Sequence, residues 1–300
     1  MNLKELYSNN QIKDNGQKMP IISFEIFPPK GEDLGEKFKK LLEQLAVLKK
    51  YHPAFISLTY GAGGTTQINS LGLIKQLKRD LGLTVMPHFT CVCASKEKIK
   101  DYLVKIEALG IKSILALRGD IPEGVEAGDS DFHYANELVD FIRFETNLSI
   151  GVAGYPECHM DCEDIRLDID NLKRKVDAGA DAIFTQMVFD NDKFFRFVEL
   201  VRGARIKVPI IPGILPVTSY SQLDKMLSMA RVVVPSKFRN DLEKYKDSHG
   251  DIIKVGIDFA TSQCQQLIEA EVPGLHFYTL NKSFAVGKIL DNLSIVQTIA

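Results

Sequence analysis

The sequence predicts an α/β protein built as a single (β/α)8 TIM barrel. Three observations favour this fold. Eight strand-like runs, rich in β-branched and aromatic residues, recur along the chain. Helix-length amphipathic segments separate them. Most of the strand runs are continuously apolar, as expected for a parallel sheet that is buried on both faces. Eight such units favour a closed barrel over an open, doubly wound sheet.

The predicted strands follow one another at fairly regular spacing. In chain order they read IISFEIF from Ile21, AFISLTY from Ala54, TVMPHFT from Thr84, IKSILAL from Ile111, LSIGVAGY from Leu148, DAIFTQMV from Asp181, KVPIIPGI from Lys207 and GLHFYTL from Gly274. Apolar stripes at helical spacing run from Phe38 to Leu48 and from Ile165 to Val176, which predicts helices packed against the sheet. The interval before the last strand is about twice the length of an ordinary crossover. It predicts an additional helix, roughly Pro235 to Ala270.

Nothing in the sequence divides the chain. It has no low-complexity tract, Pro/Ser-rich linker or internal repeat, so we predict an N-terminal extension over residues 1–20 and one catalytic barrel over 21–300. The segment Gly61-Ala62-Gly63-Gly64-Thr65-Thr66 lacks the final glycine of a dinucleotide fingerprint, and no phosphate-binding P-loop is present.

Composition narrows the class of protein. A net charge of -2 offers no bulk attraction for nucleic acid. The sequence shows no export signal and no segment that could span a bilayer, so we expect a cytoplasmic protein with no membrane partner. Five cysteines, an odd number, predict reduced thiols. Neither Cys158-His159-Cys162 nor Cys91 with Cys93 has the paired spacing of a structural zinc site, and we predict no metal.

Barrel enzymes place their active sites where the strands end. In this sequence those positions are unusually polar. They include Glu25, Thr59, Tyr60, His88, Arg118, Gly119, Asp120, Tyr155, Glu157, His159, Gln186, Tyr220, Tyr278, Asn281 and Lys282. This polarity indicates a catalytic face.

Two carboxylates stand out among these residues. Glu25 lies between Phe24 and Ile26, so its side chain must be paired, protonated or functional. A salt bridge inside the barrel is the alternative to a general acid, which needs a carboxyl group that keeps its proton. Asp120 follows Arg118 and Gly119, and the alternative for it is an ordinary turn aspartate.

The helix after the fifth strand carries a polar flank. Asp168, Asn171 and Lys175 are spaced to share one side of the helix, whereas Arg174 points away from it. These residues could bind a ligand or form solvated helical ion pairs.

Histidines and tyrosines near the strand ends also have two interpretations. His88 and His159 could each be a core or loop histidine that binds nothing. Tyr220 and Tyr278 could simply pack, or could offer a plane to a flat heterocycle.

Nine motifs together resemble one enzyme family. They are SFEIFPPK from Ser23, LTYGAGG from Leu58, PHFTC from Pro87, ALRGD from Ala116, GYPECH from Gly154, NLKRKVDAGAD from Asn171, TQMVFD from Thr185, IPGILPV from Ile211 and HFYTLN from His276. In this order they closely resemble the methylenetetrahydrofolate reductase family, from Ile21 to about Lys282.

The resemblance implies a flavin enzyme that uses a reduced folate. FAD would carry electrons from NADH or NADPH to 5,10-methylenetetrahydrofolate by a ping-pong route, giving 5-methyltetrahydrofolate. Glu25 would protonate the folate N10, and Asp120 would lie close to the flavin and pterin rings. The implied substrate-binding residues are Gln186, Tyr220, Tyr278 and Lys282. The implied FAD contacts are Thr59, His88, Arg118, Gly119, Asp120, Tyr134, Ala135, Tyr155, His159, Asp168, Asn171, Arg174 and Lys175, with Arg118 and Lys175 at the diphosphate.

Two positions depart from the family pattern. Tyr220 stands where relatives carry Phe, which preserves an aromatic plane. Lys282 stands where they carry Arg. A lysine cannot make the two parallel hydrogen bonds that an arginine makes to a carboxylate, which predicts weaker binding of the folate glutamate carboxylate. The length of 300 residues predicts no C-terminal regulatory domain of the eukaryotic kind.

Three other functions stay open on the sequence alone. They are a proline-oxidising flavin barrel, a folate-binding methyl transferase barrel without flavin, and a non-catalytic scaffold. The presence or absence of flavin colour would separate the first two. The choice between NADH and NADPH is open, and the family implies a homo-oligomer.

Overall fold

The computed structural model describes residues 2–8, 19–60, 67–120 and 130–295. Within them, eight parallel strands close into a barrel in sequence order, and the last strand pairs with the first. The strands are β1 (Ile21–Ile26), β2 (Phe55–Leu58), β3 (Val85–Thr90), β4 (Ser113–Leu117), β5 (Ser149–Gly154), β6 (Ala182–Met187), β7 (Ile210–Ile214) and β8 (Gly274–Tyr278). The predicted barrel is confirmed, and each predicted run contains one of these strands. The glycine-rich segment Gly61–Thr66 lies outside the described residues.

Helices surround the barrel. In the described part of the chain they are α1 (Leu3–Ser8), α2 (Leu34–Lys49), α3 (Gln67–Leu81), α4 (Lys96–Ala108), α5 (Ala135–Glu145), α6 (Ile165–Asp177), α7 (Asn191–Gly203), α8 (Tyr220–Met229), α9 (Ser236–Lys244), α10 (His249–Glu269) and α11 (Phe284–Asn292). Helices α9 and α10 confirm the additional helix predicted between the last two strands. None of the helices described is both long and apolar enough to cross a membrane.

Successive side chains of each strand point alternately towards the helices and into the barrel. In β1, Ile22, Phe24 and Ile26 face outward and are buried under the helices. Ser23 and Glu25 therefore face the interior of the barrel. The lower part of that interior is filled by apolar side chains such as Phe55. This arrangement leaves room only near the ends of the strands.

Helix α1 closes the bottom of the barrel. The Leu3 backbone N–H donates a hydrogen bond to Ser149 Oγ at 3.0 Å, and Lys4 Nζ lies 3.2 Å from an oxygen of Asp181. The Tyr7 ring packs edge-on against Phe184 with its centroid 6.3 Å away. Part of the segment predicted as an extension, residues 1–20, thus packs against the barrel. The domain boundaries themselves stay a prediction.

The long connection between β7 and β8 reaches the loop that follows β5. Arg231 donates to the carbonyl oxygen of Cys162 at 2.8 Å, and the Val233 N–H donates to the Glu157 carboxylate at 2.7 Å. The two contacts fix the β5–α6 loop, which contains several candidate binding residues, against the insertion.

Candidate active site

A cavity of about 310 Å³ opens at the carboxyl ends of the strands. It brings together eight of the candidate catalytic, substrate-binding and cofactor-binding residues, namely Glu25, Thr59, His88, Gly119, Asp120, Tyr155, Gln186 and Tyr278. Its other lining residues are Tyr60, Thr90, Val92, Leu115, Leu117, Ala153, Phe184 and His276. Polar groups from seven strands or the loops after them therefore converge on one space, as the sequence predicts for a catalytic face.

Glu25 lies inside this cavity, with only 8% of its surface exposed. In the register of the sheet it stands beside Ser57 of β2 and Tyr278 of β8. One carboxylate oxygen is 3.6 Å from His88 Nε2 and 3.9 Å from His276 Nε2. Among the ion pairs of the described residues, Glu25 has these two histidines as partners and no lysine or arginine. A permanent salt bridge therefore does not occupy the carboxylate.

His88 is a buried and neutral neighbour of Glu25. Burial lowers the pKa of His88 to about 4, although the Glu25 charge opposes the shift and His276 adds to it. The Nε2 atom has no hydrogen-bond partner in the described part of the chain. A neutral imidazole can accept a proton at one nitrogen or donate from it, depending on its tautomer. His88 is therefore compatible with either the protonated or the ionised form of the Glu25 carboxyl group.

His276 is the site residue that our sequence analysis missed as a candidate. It is 1% exposed, and its Nδ1 lies 2.7 Å from Ser23 Oγ. The available signal was strand alternation, because Tyr278 was a candidate and the residue two positions earlier shares its face. The motif HFYTLN contained His276, but nothing in its spacing showed that it approaches Glu25.

Tyr278 bridges two strands that are not neighbours. Its hydroxyl donates to the Thr185 carbonyl oxygen in β6 at 2.7 Å, and burial raises the Tyr278 pKa well above its ordinary value. The bond passes over Gly213 of β7, where a Cβ would stand 2.5 Å from that oxygen and 2.6 Å from the tyrosine ring. Gln186 follows Thr185, and its side-chain oxygen accepts the Met187 N–H at 2.9 Å. The amide nitrogen of Gln186 is then the group left to face a ligand.

The end of β4 supplies a tight turn and a cation. Gly119 has a φ of +84°, and a Cβ there would lie 2.7 Å from Thr90 Cβ, so only glycine fits. Arg118 pairs with Asp161 at 2.7 Å. Asp120 is exposed at the mouth of the cavity. The turn therefore places one positive and one negative side chain at the rim.

Helix α6 adds a second cation beside the cavity wall. Lys175 Nζ donates to the Ala153 carbonyl oxygen at 2.7 Å and lies 5.8 Å from the centre of the Tyr155 ring. Burial lowers the Lys175 pKa to about 8, against the attraction of Asp168. Asp168 accepts the His159 N–H at 3.0 Å, and burial raises the Asp168 pKa. The predicted flank thus forms a connected polar cluster, although these α6 residues do not line the cavity.

The remaining candidates on helices α5 and α6 lie away from the cavity wall. Tyr134 precedes α5 and is 61% exposed, and Ala135 begins that helix. Arg174 is exposed on α6, as its position on the helix predicts, and Asn171 is partly exposed there. Their contacts with a ligand stay a prediction.

Two candidate folate contacts also lie outside the cavity lining. Tyr220 begins α8 and packs against the apolar cluster of the insertion, and Lys282 is exposed beyond β8. In the described residues, no group of three or more His, Cys, Asp or Glu side chains is placed to hold a metal ion. The five cysteines are free thiols.

Comparisons with known proteins identify the family. Residues 9–294 match the methylenetetrahydrofolate reductase family. The chain belongs to this family. It is 37% identical over 298 residues to methylenetetrahydrofolate reductase (NADH) 1 of Arabidopsis thaliana, covering 94% of this chain and 49% of the relative. It is 36% identical over 262 residues to the 5,10-methylenetetrahydrofolate reductase of Escherichia coli, covering 87% and 86% of the two chains.

The match to the methylenetetrahydrofolate reductase family confirms the resemblance seen in the nine motifs. The chain spans about half the length of its plant relative. A solved structure from Clostridium thermocellum, described as an uncharacterised protein that binds two copies of 5-methyl-5,6,7,8-tetrahydrofolic acid, superposes with a TM-score of 0.67. It covers 98% of each chain at 16% identity. At that identity it supports the barrel fold alone.

The residues of this member of the family fit a flavin dinucleotide. Arg118 and the partly desolvated Lys175 provide positive charge for a diphosphate. The rings of Tyr155 and His159, whose centres are 4.6 Å apart, together provide an aromatic surface. The buried, unpartnered His88 Nε2 leaves a polar atom available to a ring. This donor set suits an anionic, largely planar molecule.

Proposed function

We propose that the protein reduces 5,10-methylenetetrahydrofolate to 5-methyltetrahydrofolate, with FAD as cofactor and NADH or NADPH as electron donor in a ping-pong sequence. Family membership supports the reaction. The observation that carries the proposal is the buried carboxyl of Glu25, which lies among candidate flavin and pterin contacts without a lysine or arginine partner in the described residues.

FAD, when bound, would pass a hydride from the reduced nicotinamide to the folate. We assign its diphosphate to Arg118 and Lys175, and its ring to the side of the cavity formed by His88, Gly119 and Tyr155. Arg118 would have to leave Asp161, with which it pairs at 2.7 Å. Asp161 is exposed, so little stability is lost by that exchange.

Glu25 has the chemistry to act as general acid. A proton given to the folate N10 opens the five-membered ring and leaves an iminium carbon that can accept hydride. The carboxyl is positioned deep in the cavity, where little water competes for its proton. The basic side chains nearest to the carboxyl are two imidazoles at 3.6 and 3.9 Å, and no lysine or arginine of the described residues pairs with it.

Two further side chains would orient the substrate. Gln186 has its oxygen engaged by Met187, so its amide nitrogen can donate to an acceptor of the pterin. Asp120, at the rim, would favour a cationic folate intermediate and disfavour an anionic reduced cofactor. Both side chains line the same cavity as Glu25.

The visible absorption spectrum of the purified protein tests the proposal first. We expect a two-banded flavin spectrum that bleaches on anaerobic addition of NADH or NADPH and returns when methylenetetrahydrofolate is added. A colourless protein that takes up no FAD would favour a folate-binding barrel without redox chemistry. Bleaching by proline instead of the nicotinamide would favour the proline-oxidising type.

Glu25→Gln then tests the general acid. We expect the folate half-reaction to be lost, whereas reduction of the flavin by the nicotinamide continues, because only the former needs a proton donated to N10. Glu199→Gln, an exposed substitution on α7, is the matched control. Folate reduction by Glu25→Gln at a near wild-type rate would exclude Glu25 as the acid.

A further inference from the structure

A buried histidine lies directly against the proposed acid. His276 Nδ1 is 2.7 Å from Ser23 Oγ, and its Nε2 is 3.3 Å from Ser57 Oγ and 3.9 Å from a carboxylate oxygen of Glu25. We infer that His276 is a positioning residue, anchored through Nδ1 by Ser23, which directs an Nε2–H towards Glu25 and holds that carboxyl facing the substrate. The inference rests on the proposed function, in which Glu25 protonates the folate.

The orientation of the His276 ring is set from three sides. Phe55 stacks on it at a centroid distance of 6.2 Å and an angle of 24°. Phe184 and Tyr278 meet it edge-on at 5.3 Å and 5.6 Å. Because the ring can neither tilt nor flip without displacing these side chains, the direction of Nε2 is determined by packing as well as by hydrogen bonding.

The hydroxyl groups around His276 can serve either tautomer, and the Glu25 carboxylate decides between them. A neutral imidazole carries one proton, so Nδ1 and Nε2 cannot both donate. If Ser23 donates to Nδ1, the proton is on Nε2, where Ser57 Oγ and the Glu25 carboxylate are both acceptors. The opposite tautomer would leave a bare Nε2 facing a carboxylate, which is repulsive once Glu25 is ionised. The 3.9 Å separation is longer than a hydrogen bond, as is common before substrate binds.

The consequence for catalysis concerns the moment after proton transfer. When Glu25 gives its proton to N10, a carboxylate forms in a buried place. An Nε2–H already directed at it would stabilise that charge after a small approach of the two side chains. His276 keeps its own proton throughout, so it orients Glu25 and is not itself an acid or a base.

Other titratable groups surround this pair from each packed element. They are Tyr7 on α1, His88 on β3, Tyr155 at the end of β5 and Tyr278 on β8, with Asp120 at the rim. His88 on β3 lies 3.6 Å from the same carboxylate oxygen. Because several titratable groups interact with Glu25 and His276, the test compares two variants at position 276. In one the new amide nitrogen reaches the position of Nε2, and in the other it reaches the position of Nδ1.

Two amide substitutions provide that comparison. In His276→Gln the amide nitrogen reaches about as far as Nε2, whereas in His276→Asn it reaches only as far as Nδ1. We expect His276→Asn to slow the folate half-reaction about ten- to hundredfold and to shift its pH profile, since misplacing a catalytic group by about 1 Å has effects of this size. His276→Gln should recover most of the rate. Equal loss in both variants, with an unchanged pH profile, would indicate packing only and would overturn the inference.

A second measurement does not depend on turnover. Histidine 15N NMR of the purified wild-type protein should show His276 protonated at Nε2, and Glu25→Gln should change its chemical shift. Finding the proton on Nδ1, or no response to Glu25→Gln, would overturn the inference even if the chain reduced no folate. His249→Asn changes an exposed histidine at the start of α10. The signal that disappears in this variant belongs to His249, and the unchanged remainder of the spectrum controls for folding. A wild-type enzyme that fails the spectral test while His276 responds to Glu25 would refute the proposed function alone.

Discussion

Lys175 offers a test in which stability and cofactor binding change in opposite directions. Burial lowers its pKa from 10.5 to about 8, a value that already includes the attraction of Asp168. At about 1.4 kcal/mol for each pKa unit, holding this charge in the folded protein costs about 3 kcal/mol. Lys175→Met removes the charge but also the hydrogen bond to Ala153, worth about 1 kcal/mol. We therefore expect a net gain of about 2 kcal/mol for the protein without FAD.

The pH dependence of this gain has a definite sign. Below pH 8 Lys175 is protonated in both the folded and the unfolded chain, and the full cost is present. Between pH 8 and 10.5 the folded protein releases the proton before the unfolded chain does, so the cost disappears. The stability difference between Lys175→Met and wild type should thus be largest at pH 7 and nearly absent at pH 10.

Thermal unfolding of apoprotein at these two pH values is the assay. A gain of about 2 kcal/mol corresponds to a Tm higher by about 3 °C, because the entropy of unfolding of a chain of 300 residues is about 0.6 kcal/mol/K. If Lys175 holds the FAD diphosphate as proposed, the affinity for FAD, followed by flavin fluorescence, should fall about ten- to hundredfold, because a charged hydrogen bond to phosphate is lost. Lys173→Met, which removes an exposed pair with Asp177 on the same helix, should change neither quantity appreciably. An apoprotein that is no more stable at pH 7, or equally stabilised at pH 10, would refute this reasoning.

Three further predictions use the same measurements. Gly119→Ala places a side chain in a left-handed conformation against Thr90 and should cost about 2 to 4 kcal/mol, lowering Tm by about 3 to 6 °C and weakening the proposed FAD binding; an unchanged Tm would contradict the close contact. Asp120→Asn should raise the flavin potential, by on the order of 20 to 30 mV, and slow folate reduction, and spectroelectrochemistry that shows no shift would remove its electrostatic role. Burial acts to raise the Asp181 pKa, but hydrogen bonds, including one from the Ile150 N–H, lower that pKa below its ordinary value. The ionised Asp181 carboxylate therefore stabilises the fold at neutral pH, and this stabilisation is lost in acid. Asp181→Asn should destabilise the protein by about 1 to 3 kcal/mol in urea at pH 7 and by much less near pH 3, and a difference that persists in acid would argue against the ionised carboxylate.

The sequence was sufficient for the barrel and for the residue types at its mouth. Continuous apolar runs predict buried parallel strands, and the alternation of β1 predicts that Glu25 faces inward when Phe24 and Ile26 face the helices. Both features depend on local patterns of hydrophobicity. They are visible before any distance is known, and the described structure confirms the strands.

The contacts between strands could not be obtained in this way. Glu25 approaches His276 because the stagger of β1 against β8 places Ser23 beside His276 and Glu25 beside Tyr278. A closed barrel requires such a stagger, but no local pattern specifies which residues it pairs. For the same reason, the Tyr278 hydrogen bond to Thr185 is invisible in a sequence, since it crosses a strand that lies between the two residues.

That hydrogen bond has a consequence for how the cavity could adapt to different ligands. By joining β6 to β8 across Gly213, it acts as a crossbar over one side of the opening and resists widening there. A larger ligand would have to be accommodated without separating β6 from β8. Any side chain larger than glycine at position 213 would displace the crossbar itself. The glycine at position 213 would then set the width of the opening on this side of the barrel.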